Sequence, residues 1–156
     1  MPVRDPVRTE RWALAVLRVS LGGFLLLWGI EKFVIPDTTV AIWSGFYGIG
    51  LAAALVPVVG ALESALGIAI AVGLWRRVSY GLGLLLHAIS VLSTWRQILD
   101  PWGLRSGGSP NHLFLAGVPV LAAFITLYLM RDRDAWTVDE RLRQRAAVRA
   151  KLSGVR

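Results

Sequence analysis

Hydrophobic positions in this chain do not alternate with polar ones; they run together. Four stretches, residues 13–35, 51–75, 78–95 and 113–130, are apolar almost all the way round a helix. A helix of a water-soluble domain keeps one polar face, so segments lacking that face are expected to meet lipid. A hydrocarbon core of about 30 Å is crossed by about 17–25 helical residues, and each stretch is of that length. Helices are the expected form because each satisfies its own backbone groups in lipid. The alternating pattern of a membrane barrel is missing. The predicted fold class is therefore all-α: a polytopic membrane protein built as a four-transmembrane-helix bundle.

The interruptions are few. The first stretch carries Arg18 and the pair Glu31-Lys32, the third His87, and the fourth Pro119 but no charge. The second contains Glu63, with twelve uncharged residues on each side, so one carboxylate sits where ionising it costs most. Between the first two stretches, PDTTVAIWSGFYGIG predicts a short helix or loop along an interface. Between the last two, Asp100-Pro101 and Gly107-Gly108-Ser109-Pro110 predict a loop. After Met130, Thr137-Val138-Asp139-Glu140 fits a capping box opening a helix with Arg141, Arg143, Arg145, Arg149 and Lys151. The expected organisation is a transmembrane domain over residues 1–134 and a basic tail over 135–156. Trp12, Trp28, Trp75 and Trp95 lie at or near predicted span ends, as in an interfacial aromatic belt.

Composition agrees: 55% of the 156 residues are hydrophobic and mean hydropathy is +0.58, which points to a lipid solvent. The absence of cysteine excludes disulfides, thiolate catalysis and Cys-ligated metals within this chain. The net charge of +7 is unevenly placed, with eight of the 17 basic residues in the last 26 positions. A cytoplasmic N-terminus would put Arg4, Arg8, Arg11, Arg76, Arg77, Arg131, Arg133 and the tail on one side, leaving Lys32, Arg96 and Arg105 on the other. The positive-inside bias then predicts a multi-pass protein of the inner membrane with both termini cytoplasmic. Membrane lipids are the expected partners of the tail, and a nucleic acid is not expected.

Helical rise places the candidate chemistry. Glu63 lies about 20 Å from the edge marked by Arg76, and His87 about 15 Å from the same edge on the next helix. With Arg18 reaching inward from the first span, a buried cluster of Arg18, Glu63 and His87 is expected, in which opposite charges offset each other's desolvation. Lys32 follows Arg18 by fourteen residues, close to four turns, so both leave one helix face. It reads either as an anchor snorkelling to headgroups or as the cationic wall of a site. The two histidines, His87 and His112, lack ligand spacing, and no metal site is expected. Gly22, Gly23, Gly29, Gly60, Ser64 and Gly67 predict closely approaching helices.

LRVSLGGFLLLWGIEKFVIP resembles the first helix of DoxX-like membrane proteins, with an early Arg and a G-x-x-K near its end. ESALGIAIAVGLWRRVSYGLGLLLHAIS resembles that family's second and third helices. The resemblance covers about residues 17–90, on Arg18, Gly29, Lys32, Glu63, Gly67, Gly73 and Arg77. His87 departs from the pattern, and the charged tail lies outside it. The resemblance implies a four-helix inner-membrane protein, some of whose relatives are small subunits of quinone-reducing oxidoreductases. The expectation is an accessory subunit of a redox system, not catalytic alone, with a partner oxidoreductase subunit or as a homo-oligomer. It would bind a lipid-soluble molecule such as a quinone at Arg18, Lys32, Glu63 and His87, with no covalent cofactor. Arg, Lys and His supply the donors that quinone carbonyls need in an apolar cavity. The alternatives are a proton-coupled transporter or channel using Glu63 and His87, and a purely structural scaffold or assembly factor.

Overall fold

The computed structural model describes residues 5–48, 50–105 and 112–153. Among the described residues there are seven α-helices and no strand: α1 (Pro6–Val34), α2 (Pro36–Ile42), α3 (Val56–Val72), α4 (Arg76–Ser93), α5 (Trp95–Leu99), α6 (Gly117–Leu129) and α7 (Val138–Ser153). A π-helical turn, Trp43–Tyr47, continues α2, and 3-10 turns at Ala53–Leu55 and His112–Ala116 lead into α3 and α6. The loop expected at Gly107-Gly108-Ser109-Pro110 lies outside the described residues.

Among the described residues three helical segments are long and apolar enough to cross a membrane: Val7–Val34, Ala53–Val72 and His112–Leu129. The third predicted stretch, residues 78–95, forms α4, whose first turn takes in Arg76 and Arg77 and so lowers its average hydropathy. Helix α1 begins earlier than the apolar run does. The Asp5 carboxylate accepts the Val7 N–H at 3.0 Å, and Pro6 needs no donor partner in a first turn. Helix α3 begins later, with Pro57 in its first turn, and Pro119 is the third residue of α6. Neither proline breaks a helix, because each occupies a position where the missing N–H costs no internal bond.

Helix α1 packs antiparallel on α3 through small residues. A methyl group at Gly22 would lie 2.6 Å from the Ala71 nitrogen, and one at Gly67 would lie 2.6 Å from that of Leu26. Lipid tails are as apolar as leucine, so such contact gains its energy from van der Waals approach, which a Cβ would prevent. Helix α4 lies antiparallel to α6, with Gly81 against Tyr128 and Gly83 against Phe124. Between the two pairs sits the core of Leu21, Leu25, Ile70, Tyr80, Phe124 and Leu127.

The α3–α4 connection is short. Leu74 N–H donates to Ala69 and Gly73 N–H to Ile70, at 2.8 and 3.0 Å, a Schellman ending that needs the left-handed φ of +70° at Gly73. Trp75 is also left-handed, at φ 49°, a conformation costing a bulky residue roughly 1–2 kcal/mol. The Asp139 carboxylate offsets that cost by accepting the N–H groups of Trp75 and Arg76, both at 2.9 Å. The segment after α6 thus caps α4 from outside the helix.

Candidate functional site

The structure sorts the four polar residues singled out above into three places. Arg18 is buried at the end of the molecule where α3 meets α4. Its Nε donates to the Ala71 carbonyl at 3.0 Å, its Nη1 to both Asp134 oxygens at 3.0 and 3.2 Å, and its Nη2 to the Trp136 carbonyl at 2.9 Å. Tyr80 donates its hydroxyl to Asp134 at 2.7 Å, and Arg76 donates to the carbonyls of Arg131 and Asp134. Asp134 is 1% exposed. The expected Arg18–Glu63 pairing is therefore corrected: the partner of Arg18 is a carboxylate 116 residues away in the segment following α6.

His87 is also separate. Its Nε2 donates to the Gly117 carbonyl at 3.0 Å, and its ring lies between Phe24 and Phe124, with centroids 5.7 and 5.5 Å away. A carbonyl only accepts, so this contact requires the proton on Nε2. His87 holds α4 to the start of α6, and the expected cluster with Glu63 does not form.

Lys32 and Glu63 do meet. Lys32 Nζ lies 2.6 Å from Glu63 Oε2, and both side chains are more than nine-tenths buried. Lys32 is near the end of α1, yet its side chain runs back along its own helix and donates to the Trp28 carbonyl at 3.1 Å. That is the direction in which helical side chains lean. It reaches toward Glu63.

This pair forms the polar wall of a cavity of about 640 Å³. Trp28, Glu31, Lys32 and Glu63 line one side, and Thr39, Ile42, Trp43 and Tyr47 from α2 and the π-helical turn form another. The remainder is apolar, from Leu66 of α3 and Leu86 of α4 outward to Leu62, Leu82, Leu85 and Ile89. Those last four are 48–68% exposed, so the cavity opens sideways through the outer surface of α3 and α4. Tyr47 and Ser90 close one edge through a hydroxyl contact of 3.0 Å. The ammonium has three N–H groups; among the described residues Glu63 and the Trp28 carbonyl take two, which leaves one for a guest.

The short helix or loop expected in PDTTVAIWSGFYGIG is α2 with its π-helical turn, and it supplies a wall of this cavity. Thr39, Tyr47 and Ser90 were not legible as site residues, since hydroxyls in a loop and on an apolar helix carry no spacing signal. Among the described residues no three of His, Asp and Glu converge as a metal site.

Residues 13–95, more than half of the chain, match the DoxX family. The chain belongs to the DoxX family. No curated protein and no solved structure matches it. The DoxX match runs from Ala13, inside α1, through α4 to Trp95, so it contains the whole cavity wall, including Lys32 and Glu63. Asp134 and Asp139, which satisfy Arg18 and cap α4, lie beyond it. Membership and the three apolar helices together identify a DoxX membrane protein.

Proposed function

We propose that this DoxX protein binds a lipid-soluble small molecule with hydrogen-bonding carbonyls, such as a quinone, in the cavity beside Lys32 and Glu63. It serves there as an accessory subunit of a membrane redox system. The observation that carries this reading is a buried ion pair forming the one strongly polar wall of an apolar, sideways-opening cavity. A guest arriving through the bilayer would find apolar surface for its ring and tail, and the remaining Lys32 N–H for a carbonyl oxygen. Thr39 and the Tyr47–Ser90 edge offer further hydroxyls. Electrons would come from a partner oxidoreductase subunit, since the chain carries no flavin, haem or nucleotide motif. Among the described residues His87 is bonded to Gly117 of α6 and Glu63 to Lys32, which favours this reading over the Glu63–His87 relay of a transporter.

The same reading adds α4 to α1, α3 and α6 as a crossing helix, four in all, and has both termini in the cytoplasm, at an inner membrane. In support, α4 starts beside the segment that follows α6 and runs antiparallel to α6. Arg8, Arg11, Arg77 and Arg133 are exposed at that shared end.

Trp28 and Trp43 border the cavity, so a short-chain quinone titrated into the detergent-solubilised protein should quench tryptophan emission saturably. Lys32→Met should weaken that quenching at least tenfold, and Leu86→Trp, which fills the cavity, should abolish it. Non-saturable quenching, equal in wild type and both variants, would overturn the proposal and leave the buried pair a purely structural element.

A further inference from the structure

Helix α7 leaves the bundle almost bare. Every residue from Arg141 to Ser153 is exposed, and this stretch has five cations and no acid. Its root, by contrast, is held firmly. Thr137 is 1% exposed and accepts the Glu140 N–H at 3.2 Å, while the Asp139 carboxylate holds the first N–H groups of α4. The helix therefore starts from a defined place against the α3–α4 turn.

That place is the edge of the lipid-facing region. Trp12, Trp75 and Trp136 are exposed there, and indoles with one apolar body and one polar edge settle at the headgroup level. Trp12 and Trp136 stack edge-on at 4.7 Å, which ties the start of α1 to the residue just before the capping box. Beyond this belt Arg141, Arg145 and Arg149 succeed each other every four residues and so share one side of α7. Gln144, Val148 and Leu152 lie on the same side of α7 as those arginines. An acidic soluble partner would be matched by charge alone. Arginines interleaved with apolar side chains, rooted at the headgroup level, match phosphodiesters lying over acyl chains.

We propose that this arginine-lined side of α7 is a docking face for anionic phospholipid headgroups, against which the helix lies. Each basic side chain near an anionic leaflet contributes about a fivefold factor to the docking equilibrium, so three contribute about a hundredfold. The inference is independent of what the cavity binds.

The chain has no cysteine, so a single introduced thiol can be labelled without background. An environment-sensitive fluorophore is attached to full-length protein at Val148→Cys or, on the opposite side, Ala150→Cys. The protein is reconstituted in nanodiscs of phosphatidylcholine alone or mixed equally with phosphatidylglycerol, and quenching by neutral acrylamide is measured. The expected result is strong protection at position 148 but not 150, in the anionic discs only. High salt should remove it, as should Arg141→Gln, Arg145→Gln and Arg149→Gln combined, which change exposed residues and leave the root untouched. Equal quenching at both positions in both lipids would overturn the proposal. So would protection at 148 that appears in phosphatidylcholine discs only when RNA or an acidic peptide is added, since the face would then belong to that partner.

Discussion

Lys32 and Glu63 each lose their water when the helices pack, and each offsets the loss of the other. Lys32→Met should therefore cost more than the loss of one contact, because Glu63 is left buried without its cation, at about 3–5 kcal/mol. The double replacement Lys32→Met with Glu63→Leu should recover most of that, read as the thermal unfolding midpoint in detergent. A double variant whose shift equals the sum of the two single shifts would show the two residues to be energetically independent. The sequence marked both residues but gave Glu63 the wrong partner. Arg18 and Lys32 leave the same face of α1, and both face α3, so counting depth along straight helices cannot choose between them. The choice is made by the slide of one helix on the other. A register that sets Gly22 against Ala71 and Gly29 against Ser64 brings Lys32, not Arg18, beside Glu63.

Among the elements, the segment between α6 and α7 has the role least expected from its composition. RDRDAWTVDE looks like solvated charge, yet Asp134 and Thr137 in it are almost wholly buried. It satisfies Arg18 and Tyr80 through Asp134 and the α4 N-terminus through Asp139. These two carboxylates should respond differently to removal. Asp134→Ala strands a buried guanidinium and should cost about 3–5 kcal/mol. Asp139→Ala removes a partly exposed cap and should cost about 1–2 kcal/mol. Denaturant titration of the purified variants would measure both, and an Asp134→Ala variant as stable as wild type would remove Asp134 from the fold's essential contacts. The capping box at Thr137 was legible because its two signals, Thr137 and Glu140, are three residues apart. Asp134 was not, because its partners are on α1 and α4.

For the molecule as a whole, arginines gather at the end where α1 begins, α3 turns into α4 and α6 ends. If that end faces the cytoplasm, an even number of crossings must separate the termini. A reporter fused after α7 should then be fluorescent in the cytoplasm. An alkaline phosphatase fused in the α5–α6 connection should be active, placing α4 across the bilayer. An inactive phosphatase there would mean that α4 does not cross.

What the sequence settled by itself is what depends on short range and on solvent. Uninterrupted apolar runs have no stable state in water, prolines and glycines mark helix starts and stops, and small residues recurring along α1 and α3 announce close contact. The family likeness at residues 17–90 belongs to the same class, as it follows the chain position by position. The tertiary structure decided which buried charge meets which. Ion pairing acts over a few ångströms in three dimensions, between groups whose separation along the chain says nothing of their distance. Only the packed register could give Glu63 to Lys32, Arg18 to Asp134 and His87 to Gly117.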